Sequence, residues 1–126
     1  MEKKIFYHDT DSGGVVYYAN YLKYLEEART EFLEERCAGV PSILGRGMLY
    51  AVHFCNVNYK APARYGDIIE TTAAIKKLSA AQIVFEQQVL DKKTGAVLVE
   101  AEVGLVCLDQ TFKPCAIPDD IKEKLH

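Results

Sequence analysis

The residues best suited to chemistry cluster near the start of the chain, in the run Tyr7-His8-Asp9-Thr10-Asp11-Ser12-Gly13-Gly14-Val15-Val16-Tyr17-Tyr18-Ala19-Asn20-Tyr21. Two carboxylates precede a glycine pair, and a helical pattern begins shortly afterwards. A carboxylate can take a proton from water or add directly to a carbonyl carbon. Glycines let the backbone come close to a ligand, and the free N–H groups at a helix start, with the positive end of the dipole, can hold a developing oxyanion. A carboxylate held near such donors could act as base or nucleophile. The competing reading gives Asp9, Thr10, Asp11 and Ser12 only turn and cap hydrogen bonds, the commonest use of such residues. A calcium loop is excluded, because its fifth position is Gly13, its twelfth is Asn20 instead of a bidentate Glu, and the segment before it reads as a strand.

These residues need elements to hold them. Lys4 to Tyr7 is β-prone and ends in the turn formers Asp9 to Gly14, which predicts a strand running into a loop. Tyr21, Leu25, Ala28 and Phe32 then recur at steps of four, three and four, which predicts one long helix from Ala19 to Arg36 ending before Gly39 and Pro41. From Met48 the period changes to two, with Tyr50, Val52 and Phe54 on one face and Leu49, Ala51, His53, Cys55 and Val57 on the other. Further strands are expected over Ile68–Ile75, around Ile83 to Val89, and from Val97 to Cys107, with turns at Lys76-Lys77-Leu78-Ser79 and Asp91 to Gly95. After Pro118 only a short helix fits. Strands joined by hairpin-length loops make an antiparallel sheet, so the chain reads as one α+β domain over residues 1–126 with the helix on one sheet face. The apolarity of both faces near Tyr50 to Val57 asks for a further covering partner, most economically another copy of the chain.

Composition narrows the function classes. With 126 residues, 49% of them hydrophobic, the chain can bury a core without metals or disulfides. Lys and Arg total 15 against 18 Asp and Glu, and the net charge of −3 argues against a nucleic-acid binder. The four cysteines, Cys37, Cys55, Cys107 and Cys115, show no metal-ligand or redox-pair spacing and are read as reduced thiols. No apolar run is long enough for a signal peptide or membrane span, so a cytoplasmic setting is expected.

Asp9-Thr10-Asp11-x-x-Gly14-Val15-Val16-Tyr17-Tyr18-x-Asn20-Tyr21 ahead of the helix resembles the signature of hotdog-fold acyl-CoA thioesterases of the 4-hydroxybenzoyl-CoA thioesterase and YbgC type. Tyr59-Lys60-Ala61-Pro62-Ala63-Arg64-Tyr65-Gly66-Asp67, between the next two strands, is also similar to that family. The resemblance implies a long helix wrapped by a five-stranded antiparallel sheet, and a homodimer or homotetramer with active sites at the subunit interface. It maps the catalytic Asp to Asp11 and the oxyanion donor to the backbone N–H of Tyr18, with Gly14 at the ligand's approach. Tyr18 stands where YbgC-type members carry His and the 4-hydroxybenzoyl-CoA branch carries Tyr, so no imidazole mechanism is available there. His8 reads as structural or at the rim. Glu26 matches the helix position where the 4-hydroxybenzoyl-CoA enzymes place an acid near the ring hydroxyl, although an exposed helix Glu is the plainer reading.

For substrate binding, Tyr17 and Tyr21, with Tyr24, are candidates for an acyl pocket, and Arg64, Lys76 and Lys77 for the phosphates of CoA. The function expected is hydrolysis of a short-chain or aromatic acyl thioester of CoA, or of acyl carrier protein, to an acid and a thiol, with no metal or organic cofactor. A hydratase on the same fold generally pairs His with its acid and is disfavoured here. A non-catalytic acyl-binding module would not need Asp11.

Overall fold

The computed structural model describes residues 1–126. Its helix α1 (Asn20–Glu35) buries Tyr21, Tyr24, Leu25, Ala28, Arg29 and Leu33, the stripe expected from steps of three and four. The helix ends at Arg36, with Cys37 at φ 53° and the Ala38 N–H on the Leu33 carbonyl. The left-handed residue that closes the helix is a cysteine, and the helix ends ahead of Gly39 and Pro41 as expected.

The sheet comprises β1 (Glu2–Lys4), β2 (Leu49–Tyr59), β3 (Ile68–Thr71), β4 (Ala74–Leu78), β5 (Gln82–Asp91) and β6 (Val97–Leu108). Two short helices, α2 (Val40–Leu44) and α3 (Asp119–Lys124), follow α1 and close the chain. All pairings are antiparallel and the order is β1-β3-β5-β6-β2, with β4 beside β5. Because β3 pairs with Val89–Asp91 and β4 with Ile83–Glu86 of the same strand, the two share one position and the sheet is five strands wide. This is the expected α+β hotdog arrangement. Ile83, Phe85, Gln87 and Val89 of β5 and Val99, Ala101, Val103, Leu105 and Cys107 of β6 form its buried face.

Three expectations need correction. The first strand is Glu2–Lys4, and Tyr7–Asp9 forms a 3-10 turn, so His8 lies on a turn and not on a strand end. The single strand expected over Ile68–Ile75 is broken at Thr72 and Ala73, where buried Gln87 donates to both the Thr72 carbonyl (3.1 Å) and the Leu25 carbonyl of α1 (3.0 Å). Lys76 and Lys77 sit on β4 and not in a turn; a bulge between Ile75 and Lys77 exposes both lysines while Ile75 and Leu78 stay against the core.

Strict alternation also fails in β2. A register shift between Val52 and Phe54 lets the Phe54 ring lie over Gly104 of β6, where any side chain would collide with it. Tyr50, Val52, Cys55, Val57 and Tyr59 consequently pair with the odd, buried positions of β6, so all five share the helix-facing side. The shift keeps Tyr59 at the end of β2 turned toward α1, where its ring centroid is 5.7 Å from that of Tyr21.

Candidate active site

The loop between β1 and α1 is a tight hairpin. Asp11 N–H donates to the Val15 carbonyl at 2.9 Å and Gly14 N–H to the Asp11 carbonyl at 3.1 Å, with Gly14 at φ 76°. That left-handed conformation explains a glycine at position 14. Gly13 has a different role. Its N–H donates to Asp11 Oδ1 at 2.8 Å, and a methyl group there would come within 3.2 Å of the same oxygen. The glycine pair thus belongs to the hairpin that aims Asp11, not to the first turn of the helix. Asp11 is exposed, and its second carboxylate oxygen accepts no hydrogen bond within the chain.

The helix begins with i to i+3 bonds, from Asn20 N–H to the Tyr17 carbonyl and from Tyr21 N–H to the Tyr18 carbonyl. The N–H groups of Tyr18 and Ala19 make no hydrogen bond within the chain. They are the orphan donors of a helix start. The Tyr18 side chain is 62% exposed and its hydroxyl bonds to nothing in the chain; its ring meets Tyr17 at 5.1 Å and Tyr59 edge-on at 6.1 Å.

Asp11 and Tyr18 open onto one cleft of about 310 Å³, lined also by Val15, Val16, Tyr21, Tyr59, Lys60, Ala61 and Pro62. A larger hollow of about 630 Å³, with Asn56, Asn58, Glu86, Glu100 and Glu102 among its lining residues, shares none of them with this cleft. The smaller one holds the Asp11 carboxylate and Tyr18, which makes it the candidate site. Tyr21 is buried and its hydroxyl accepts the Ala63 N–H at 3.0 Å, which fastens the Lys60 to Arg64 segment over the helix start. Burial raises the Tyr21 phenol above its ordinary range, and does the same for Tyr59.

Asp9, two residues before Asp11, is almost wholly buried. Its carboxylate accepts Phe6 N–H at 2.8 Å, the Tyr24 hydroxyl at 2.8 Å and Lys3 Nζ at 3.2 Å. Burial alone would raise its pKa, but the hydrogen bonds from Phe6, Tyr24 and Lys3 outweigh that and hold it below the ordinary value. Tyr24 is pushed the other way, by its own burial and by the Asp9 carboxylate beside it. His8 is exposed, stacks on Phe6 and has its Nε2 3.7 Å from Asp9 Oδ1.

The cleft brings together Asp11, Tyr18 and Tyr21 of the residues singled out in the sequence, with Gly14 in the adjoining turn. Tyr17 does not line it, and its ring lies against that of Tyr18. Arg64 is bridged by its backbone to Val15 and makes no ion pair. Lys76 is tied to Glu102 at 2.9 Å, Lys77 is exposed on β4, and Glu26 is exposed on α1 and accepts the Thr30 hydroxyl; none of the three lines the cleft. Tyr59 and Lys60 do line it, although sequence reasoning gave them no role; their place in the segment ending at Asp67 was the available signal.

The family model for the thioesterase-like superfamily matches residues 7–125. The chain is 36% identical over 119 residues to the acyl-CoA thioester hydrolase YbgC of Escherichia coli O6:H1, covering 94% of this chain and 88% of that protein. It is 32% identical over 125 residues to the acyl-CoA thioesterase YbgC of Haemophilus influenzae, covering 98% and 90%. The crystal structure of the DHNA-CoA thioesterase from Staphylococcus aureus superposes with a TM-score of 0.91 at 26% identity, covering 98% of this chain and 85% of that one.

Proposed function

The chain belongs to the thioesterase-like superfamily and hydrolyses acyl-CoA thioesters, the activity for which its relatives are named; from that premise we propose that Asp11 carries the chemical step and that the Tyr18 and Ala19 amides receive the charge formed on the thioester oxygen. One observation supports this above the others. A carboxylate with one oxygen fixed and one free shares a cleft with Tyr18, whose N–H at the helix start has no partner within the chain. The free oxygen either takes the proton of an attacking water or adds to the carbonyl carbon, and in both routes negative charge moves to the carbonyl oxygen. Collapse then expels the thiolate of CoA; the water route leaves the carboxylic acid directly, and the addition route leaves a mixed anhydride with Asp11 that a water molecule hydrolyses to the acid and the free carboxylate.

The acyl group is short or aromatic in this reading, because the cleft is small and its walls are Val15, Val16, Tyr18, Tyr21 and Tyr59. Arg64, which lies across from Val15 of the hairpin and makes no ion pair, is the candidate for the CoA phosphates, whereas Lys60 in the cleft wall is paired with Glu100. The working unit is a homodimer or a pair of dimers joined through β2, whose outer edge has no partner strand. No helix is long and apolar enough to cross a membrane. The four free thiols fit a reducing, cytoplasmic setting. Asp11→Asn keeps the size and removes the charge, and kcat toward acyl-CoA should fall at least about a hundredfold. Near-normal turnover would refute the role of Asp11. A panel of short, aromatic and long acyl-CoAs should give the highest kcat/KM for the first two, and a long-chain preference would overturn the substrate reading.

A further inference from the structure

Asp9 touches more of the surrounding framework than Asp11 does. Its carboxylate binds Lys3 and Phe6, at and just beyond the end of β1, and Tyr24 in the second turn of α1. Its carbonyl accepts both Tyr17 N–H and Asn20 Nδ2, each at 3.0 Å. Tyr17 is bonded directly to Tyr18, and Asp11 is two residues along the chain from Asp9. One residue therefore joins the strand end, the hairpin that carries the free carboxylate, and the turn that carries the unpartnered amides.

We infer that Asp9 is a positioning residue for hydrolysis, fixing the Asp11 carboxylate relative to the Tyr18 and Ala19 N–H groups through its buried carboxylate and its carbonyl. This rests on the assignment of Asp11 and Tyr18 to the reaction. The physical reason lies in the cost of misplacement: carboxylate and oxyanion donors must face one carbonyl together, and a shift of about 1 Å between such groups can cost about a hundredfold in rate. Hydrogen bonds to a buried ionised group are strong enough to resist that shift. The Tyr24 arm also sets the Tyr21 ring, which meets Tyr24 edge-on at 5.9 Å and lines the cleft.

The test is steady-state kinetics on Asp9→Ala, Asp9→Asn, Tyr24→Phe, Asp11→Asn and Asp9→Ala/Asp11→Asn, at a temperature where melting curves show each variant fully folded. Asp9→Ala should lower kcat by about ten- to a hundredfold with KM within about twofold. Asp9→Asn, which can still accept Phe6 N–H and donate to the Tyr24 oxygen, should restore part of that loss. Tyr24→Phe, which removes a single arm, should cost a few-fold in kcat and keeps the test alive if Asp9→Ala does not fold. In the double variant the Asp9 change should cost almost nothing beyond Asp11→Asn, because there is no longer a carboxylate to position. Wild-type kcat in a folded Asp9→Ala or Tyr24→Phe variant, or losses that simply multiply in the double variant, would overturn the proposal. Failure of the underlying assignment looks different: Asp11→Asn alone would then retain its turnover.

Discussion

At the scale of the residue, Asp9 and Asp11 show how one side-chain type meets opposite environments two positions apart. Asp9 is buried and saturated with donors, whereas Asp11 is exposed with one oxygen free. The sequence marked the pair and the turn-bond reading of it, but the division of labour depends on Tyr24 and Lys3, whose approach only the fold creates. For Tyr18 the sequence pointed to both the position and the backbone N–H. Its N–H has no partner within the chain, and its hydroxyl bonds to nothing that would orient it as an acid, which favours the backbone role proposed above. Tyr18→Phe should therefore retain most of kcat, and steady-state kinetics with circular dichroism as a folding control will check it. A loss of about a hundredfold would mean that the hydroxyl acts as an acid, contrary to the backbone role. Gly14 changes meaning in the structure. A side chain there meets no other group of the chain within 4 Å, but a β-branched residue at φ 76° is strained, so Gly14→Val carries a backbone cost in addition to any crowding of the substrate's approach.

Among the elements, α1 was readable almost to its ends because a stripe of buried residues at steps of three and four survives any detail of tertiary packing. The strands were readable as strands but not in their breaks. Periodicity places residues on faces only while the register is constant, and here it slips in β2 beside Gly104 and in β4 between Ile75 and Lys77. The interruption at Thr72 has a similar origin: what holds it is Gln87, a buried amide more than ten residues downstream. The β2 slip matters for the site, since it leaves Tyr59 facing α1. Gly104→Ala tests this directly. The added methyl would run into the Phe54 and His53 rings, and the variant should lose about 2 kcal/mol of stability, the usual cost of overpacking, seen as a lower midpoint in urea. Unchanged stability would show that Phe54 moves aside freely and that the bulge does not depend on the glycine.

At the scale of the molecule, the feature left open is the outer edge of β2. The strand is 11 residues long, lies at the end of the sheet order, and has β6 on one side only. Long unpaired edges that carry apolar side chains invite another strand, and proteins that keep such an edge usually cover it. Here the apolar side chains include Val52, which is 52% exposed. The Asp11 cleft lies at the far end of the same strand, against Tyr59 and Lys60, so a copy docked on this edge would stand beside the cleft and help close it. Lys60 N–H donates to the Leu98 carbonyl, and ladder alternation then turns the N–H of Cys55 outward, away from β6. Cys55→Pro should thus spare the ladder inside the sheet while denying one hydrogen bond to an incoming strand. Sedimentation velocity of the unaltered protein should give a dimer or larger at micromolar concentration, and Cys55→Pro should shift it toward monomer with a parallel fall in kcat/KM. A fully active monomer of the unaltered protein would break the link between assembly and activity, because the cleft would then be complete within one chain.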